Sequence, residues 1–139
     1  MRITIKIFLV ATFIFCFSCE DQGLIVKCPD CLADDPVKTN LDVKLDLSYF
    51  GVETLINVYE GNIEDSVLYI SFKTSSTQTT IPVTVNKKYT VTATYYTSDN
   101  YYIAIDSATP RVRFDKTQCD DPCYFVYDKS IDLRLKYTK

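Results

Sequence analysis

From residue 41 onward the chain alternates apolar and polar side chains in short runs broken by turn residues. Leu41, Val43, Leu45 and Leu47 alternate with Asp42, Lys44 and Asp46, the period of two that puts one row of side chains on each face of a strand. Gly51 ends that run. Further strands are predicted over Thr54–Glu60, closed by Gly61-Asn62, and over Ser66–Lys73, followed by a Ser/Thr-rich loop from Thr74 to Thr80. Ile81–Val85 reads as a short strand, and Pro82, which has no N–H to give a neighbour, places it at a sheet edge. After a turn at Asn86-Lys87-Lys88, Tyr89, Val91, Ala93 and Tyr95 alternate with Thr90, Thr92 and Thr94. Ser98-Asp99-Asn100 turns the chain into a strand over Tyr101–Asp106, and Arg111–Phe114 is another short strand. Tyr124–Tyr127 and Ile131–Tyr137 then read as a closing hairpin around Asp128-Lys129. No stretch sustains a 3.6-residue period, and Asn62–Ser66 holds one helical turn at most.

Roughly seven to nine short strands with turns between them predict an all-β fold, an antiparallel β-sandwich of two packed sheets, with a closed barrel as the other way to manage strand edges. The predicted core contains Val43, Leu45, Leu47, Val58, Leu68, Ile70, Val91, Ala93, Ile103, Val126, Leu133 and Leu135.

The first forty residues follow a different pattern. Arg2 and Lys6 precede an apolar run from Ile7 to Phe17, interrupted only by Thr12 and ending at Ser18-Cys19. That run is shorter than the roughly 20 residues needed to span a bilayer. Charge, apolar run and small residue come in the order of a secretory signal peptide. Residues 20–40 read as a tether, because Gly23, Pro29, Pro36 and Asp30, Asp34 and Asp35 break any periodicity; Leu24-Ile25-Val26 alone has the makings of a short edge strand. The expected organisation is a signal peptide over 1–18, a lipidated tether carrying a cysteine pair over 19–40, and a sandwich over 41–139.

Composition narrows the function classes. With residues 1–19 set aside, 13 basic residues face 18 acidic ones, a net charge of −5 that argues against nucleic acid as a partner. The chain has no His, which removes both the side chain best suited to proton transfer near neutral pH and the commonest metal ligand. Tyrosine is abundant, at 11, beside a single Met, as suits strands rather than helices.

Ser18-Cys19 resembles the end of a bacterial lipobox, in which a small residue precedes a cysteine that is acylated and becomes the new N-terminus. The resemblance implies that Cys19 is the lipid attachment site; acyl chains buried in lipid at about 0.8 kcal/mol per CH₂ would then hold the domain at a membrane. Glu20-Asp21 resembles the export signal that Bacteroidetes lipoproteins use to reach the outer face of the outer membrane, which implies a surface-exposed, lipid-anchored protein there. Farther on, Lys88–Tyr95 is similar to a core strand, Y-x-V-x-A-x-Y, of prealbumin-like and carboxypeptidase-regulatory-like sandwiches, and implies a prealbumin-like or immunoglobulin-like arrangement. Some of those relatives carry a Lys–Asn isopeptide. Lys44 stands in the first strand here, but Ser130–Lys139 contains no Asn, so that bond is not expected.

Cys28, Cys31, Cys119 and Cys123 form two close pairs. Such pairs suit a Cys₄ zinc site, a C-x-x-C redox site or disulfides. Export favours disulfides, since thiols outside the cytoplasm oxidise. Local pairing closes loops of about four or five residues, whereas cross pairing closes loops of about 90 and staples the tether beside the loop before strand 124–127. At least one cross bond is expected. Asp34, Asp35, Asp115 and Asp120-Asp121 offer oxygen ligands, but no calcium motif organises them and they read as solvated loop charge. Tyr95, Tyr96, Tyr101 and Tyr102 cluster around one turn; they would either cover core edges or offer a ligand contact, since exposed tyrosines can bind sugars or peptides. No cofactor and no metal are expected.

These features predict a non-catalytic envelope lipoprotein acting as a binding or structural accessory module, with the membrane as one partner through its lipid and an envelope protein or glycan as another. An inhibitor or immunity-type lipoprotein is the alternative. A small carboxylate-dependent hydrolase ranks lower, because a working carboxylate pair needs a defined separation and a cleft.

Overall fold

The computed structural model describes residues 27–46, 51–117, 119 and 123–135. The signal peptide with Cys19, the Leu24–Val26 stretch, Leu47, Asp120-Asp121 and Tyr137 lie outside them. Among the described residues nine strands form: β1 (Lys38–Lys44), β2 (Thr54–Glu60), β3 (Leu68–Thr74), β4 (Gln78–Thr84), β5 (Tyr89–Tyr96), β6 (Tyr101–Ala108), β7 (Arg111–Asp115), β8 (Cys123–Tyr127) and β9 (Ser130–Asp132). A 3₁₀ turn at Ile63–Asp65 occupies the one place where a helical turn was expected.

Two sheets face each other as an all-β sandwich. One has the order β4-β1-β9 and the other β3-β2-β5-β6, while β7 and β8 form a separate ribbon. Pairing is antiparallel except between β1 and β9. The alternation in the sequence explains which face turns inward. In β1, Leu41 and Val43 are buried while Lys44 is exposed, and Leu45 continues the inward row beyond the strand. Ile81 and Val83 of β4 lie beside them, as do Ile131 of β9 and Leu133 just past it; Ile56, Val58, Tyr89, Val91, Ala93 and Tyr95 fill the space from the facing sheet. As Pro82 implies, β4 is an edge strand.

The structure corrects four expectations. Leu68, Ile70 and Ile103 are not core residues but are 53%, 41% and 53% exposed. Leu68 and Ile70 sit on β3, an outer strand of a four-stranded sheet that faces a sheet of only three, so its margin has no cover, and Ile103 of β6 lies opposite Thr94 on the face turned away from the core. A register shift between Val58 and Tyr59 also sets Ile70 opposite Val58 but Leu68 opposite Tyr59. Val126 and Leu135 are half-buried. The closing hairpin does not form. β8 pairs with β7, and β9 runs parallel to β1 with Val43 opposite Ile131, because that placement buries Ile131 and Leu133 in the main core. The Ser/Thr loop shrinks to residues 75–77, since Gln78, Thr79 and Thr80 pair with Lys44, Val43 and Asp42, and β-branched threonines suit a pleated edge. Lastly, β1 begins at Lys38, ahead of the boundary expected at residue 41.

Two buried tyrosines tie the sheets together through their hydroxyls. Tyr95 donates to the Leu133 carbonyl at 2.9 Å and accepts from the Asp46 amide at 3.2 Å, both on the opposite sheet's side of the core. Tyr89 accepts from the Thr84 amide at 3.1 Å. Burial holds the Tyr95 hydroxyl above the ordinary tyrosine value of 10.0, with the Asp46 amide opposing the shift in part. Tyr95→Phe should therefore lose about 1–3 kcal/mol, because two backbone groups lose their shared partner. The native protein should also weaken as pH rises above about 10, where the unfolded chain ionises first while the folded one keeps its proton. The stability held below that pH is lost as pH climbs toward the raised folded value. Urea unfolding at pH 8 and pH 11 checks both points: the Phe variant should show a lower midpoint at pH 8 and a smaller drop between the two.

Candidate functional site

Among the described residues, the hairpin of β5 and β6 carries the largest concentration of exposed aromatic and aliphatic side chains. Its register sets Tyr96 opposite Tyr101, Thr94 opposite Ile103 and Thr92 opposite Ile105 on the face that turns away from the core. Tyr96, Tyr101, Ile103 and Ile105 are 40–63% exposed. They form one row because strand side chains alternate and antiparallel neighbours lie directly opposite. On β5 the intervening floor is threonine, with Thr90 and Thr92 nearly covered by the longer side chains beside them. The hairpin turn is closed by Thr97, whose amide and hydroxyl both donate to the Asn100 carbonyl.

Of the four tyrosines singled out as ligand contacts, Tyr95 is corrected: it is 1% exposed and its hydroxyl is spent inside the sandwich. Alternation along β5 makes the reason plain, since Tyr95 shares the inward face with Val91 and Ala93. Tyr96 and Tyr101 lie on the outer face. Tyr102 pairs with Tyr95 on the inner side but stands at the uncovered margin and remains half exposed. Sequence reasoning missed Ile103 and Ile105 as members of this surface. A signal was present in the small side chain of Ala108, which sits opposite bulky Tyr89, with Ala104 on the same inward row opposite Ala93.

Along the outer flank of β6 no further strand pairs among the described residues. Its sequence, YYIAIDSA, has one charge and neither Pro nor Lys, the devices that usually blunt an edge. Near the far end, the Asp106 carboxylate accepts from the Asp132 amide at 2.8 Å and fastens β6 to β9, so the open stretch is the Tyr101–Ile105 end.

The second assembly of chemical interest is the cysteine junction. Cys28 starts a 3₁₀ turn, Cys28–Asp30, with Pro29 at its second position, and the Cys31 amide donates back to the Cys28 carbonyl at 3.2 Å. Leu32 then exchanges two backbone hydrogen bonds with Tyr124 of β8, at 2.8 and 3.0 Å. Disulfides join Cys28 to Cys119 and Cys31 to Cys123 across separations of 91 and 92 residues. Both are cross bonds. The sulfurs crowd together, with Cys31 Sγ 3.6 Å from Cys119 Sγ although these two are not bonded. Cys123 and Phe125 form a small apolar cluster with Cys31, Cys119 and Tyr127, apart from the main core. The segment around residues 28–32 is thus docked on the ribbon rather than a free tether.

Asp34 and Asp35 are exposed, and buried Asp115 accepts from the Thr117 amide at 2.7 Å, so these carboxylates are not gathered on a common point. A shallow depression of about 460 Å³ on the β1–β4 face is lined by Asp42, Val43, Lys44, Gln78, Thr79 and Thr80, and Asp42 there meets Lys129 at 3.3 Å. Comparisons with known protein families, with curated proteins and with solved structures find no significant match.

Proposed function

We propose that this chain is a non-catalytic cell-envelope lipoprotein, exposed at the surface of the outer membrane, whose β-sandwich acts as a binding or structural accessory module. The observation that carries the binding role is the row of Tyr96, Tyr101, Ile103 and Ile105 on the open flank of β6. Contiguous apolar surface of this kind on a soluble domain marks an interaction site, and tyrosine supplies contact area with a polar tip at small entropic cost. Charge at the far end of the chain supports the anchor: Arg2 and Lys6, an apolar run, and Ser18-Cys19 followed by Glu20-Asp21. The partner of the exposed row is an envelope protein or a glycan. A second reading, an inhibitor or immunity-type lipoprotein, is favoured by the doubly stapled junction, which presents a rigid small domain; a stoichiometric complex with a protease, lysozyme or toxin would establish it.

One experiment separates anchor from surface. Wild type, Cys19→Ser and a Tyr101→Ser/Ile103→Thr double variant are expressed in the native host, fractionated, and used for pull-down from detergent-solubilised outer membrane and for glycan-array binding. Cys19→Ser should leave the membrane fraction, while the double variant should stay in it, remain folded, and lose at least tenfold in partner recovery. Cys19→Ser fractionating with membrane at the wild-type level would reject the lipoprotein. Equal recovery by the double variant, or recovery of no partner and no glycan by wild type, would reject the binding face.

A further inference from the structure

We propose that the cysteine junction is a redox-gated site for a thiophilic divalent metal, with zinc as its natural size and charge. In the reduced protein the ion takes over the cross-link that the two disulfides provide in the oxidised one. The inference rests on how the four sulfurs are brought together. The sulfurs of Cys31, Cys119 and Cys123 all lie within 4.8 Å of one another, and the unbonded pair Cys31 and Cys119 is at 3.6 Å. A tetrahedral zinc ion with metal–sulfur bonds of about 2.3 Å needs sulfurs about 3.8 Å apart; the unbonded Cys31–Cys119 edge is already near that value, while Cys31 and Cys123, bonded to each other, must separate to it on reduction.

Cys28 stands just outside the trio, exposed on its 3₁₀ turn but bonded to Cys119, and a rotation of its side chain supplies a fourth ligand. Its placement is that of a metal-binding knuckle. The Cys31 amide donating to the Cys28 carbonyl folds C-P-D-C into a turn that brings Cys28 to Cys119 and Cys31 to Cys123 of β8, and those two partners have three residues between them. Both spacings fall within those of structural zinc sites. Phe125, Tyr127 and the Leu32–Tyr124 hydrogen bonds also join the two halves, so after reduction the thiols stay close enough for an ion to restore the lost cross-link.

The chemistry balances with a dithiol as reductant. Each disulfide accepts two electrons and two protons from one dithiol, which closes into its own cyclic disulfide, and two protein thiols result. The metal then displaces the thiol protons, up to four, and binds the thiolates. Reoxidation by a small disulfide, which takes two electrons from each thiolate pair and two protons from solvent and leaves as thiols, re-forms the protein disulfides and expels the ion. The consequence is that the docked segment stays stapled to β8 in both redox states, by covalent bonds in one and by coordination in the other.

The full chain, purified oxidised, is reduced with a dithiol, freed of reductant under nitrogen and titrated with Co²⁺ and then Zn²⁺, with far-UV circular dichroism followed throughout. The expected result is one ion per chain, cobalt–thiolate charge-transfer absorption with tetrahedral visible bands, and displacement by zinc, all absent in the oxidised protein. Release should reach four protons per ion in wild type and three in Cys28→Ser, and binding should vanish in Cys31→Ser/Cys123→Ser while its β-sheet spectrum persists. The site is overturned if the reduced, folded chain takes up no stoichiometric metal, if the oxidised chain takes up as much, or if reduction abolishes the β-sheet spectrum. Unchanged proton release in Cys28→Ser would overturn the four-thiolate assignment.

Discussion

Replacing the four junction cysteines with serine should lower the unfolding free energy by roughly 7 kcal/mol, far more than the two disulfides removed one at a time. The reason is loop closure. A first bond between the segments around residues 28–31 and 119–123 closes a loop of 91 or 92 residues, worth roughly 4.6 kcal/mol in the chain-entropy account. Once either bond exists, the other closes a ring of only about seven residues and adds roughly 2 kcal/mol. Removing Cys28–Cys119 alone, or Cys31–Cys123 alone, should therefore cost roughly 2 kcal/mol each, because the survivor still holds the long loop. Two such losses fall well short of the combined loss, and that gap is the coupling a double-mutant cycle reads from urea unfolding. Ordinary domains are stable by only about 5–15 kcal/mol, so the serine quadruple variant should stand near the edge of folding. Equal and additive losses would contradict the shared loop. So would a non-reducing peptide map that joins Cys28 to Cys31 and Cys119 to Cys123.

Leu133→Ala should cost roughly 2–5 kcal/mol, and Ile103→Ala should change stability by less than about 0.5 kcal/mol. Both are large aliphatic residues in the strand-rich part of the sequence, but Leu133 is fully buried and Ile103 is 53% exposed. Truncating Leu133 leaves a cavity in the core beside Leu45 and Tyr95 while the backbone bonds survive, since its amide still donates to the Lys44 carbonyl and its own carbonyl still accepts from Tyr95. Ile103 faces water, so its methyl groups are wet in both states. Thermal or urea unfolding of the two variants at neutral pH measures the difference, and comparable losses would mean that the sheet faces are assigned the wrong way round.

That pair of residues also marks how far the sequence could be read. β1 and β5 were legible because each carries one apolar and one polar row, so period two names the inward face without ambiguity. β3 and β6 carry apolar residues on both rows, LYISF and YYIAI, and period two cannot then choose between them. What decides is the volume left by the partner. Tyr89 and Tyr95 of β5 fill the inside, so β6 turns Ala104 and Ala108 inward and its isoleucines outward.

The end of the chain was misread for a different reason. Asp128-Lys129 has the local chemistry of a hairpin turn, with Asp128 at positive φ, but the gain from burying Ile131 and Leu133 is long-range and leaves no local trace. In the candidate site, adjacency of the tyrosines in sequence was visible, but which of them was spent as a tie across the sandwich was not. For the cysteines, an expected cross bond proved to be two, because Leu32 pairs with β8 and aligns both cysteines of one segment with both of the other.

The parallel pairing of β1 with β9 has a consequence for the order of events during synthesis. Asp42, Val43 and Lys44 find their partners only at Ser130, Ile131 and Asp132, and Leu41 and Val43 stay without one wall of their core until that stretch arrives. A chain made from its N-terminus can form the β2–β3 and β5–β6 hairpins early, but the three-stranded sheet waits for nearly the last strand. The protein is therefore held open, its central aliphatics uncovered, for almost the whole of its emergence. That interval leaves the unfinished chain exposed to aggregation through its uncovered aliphatics.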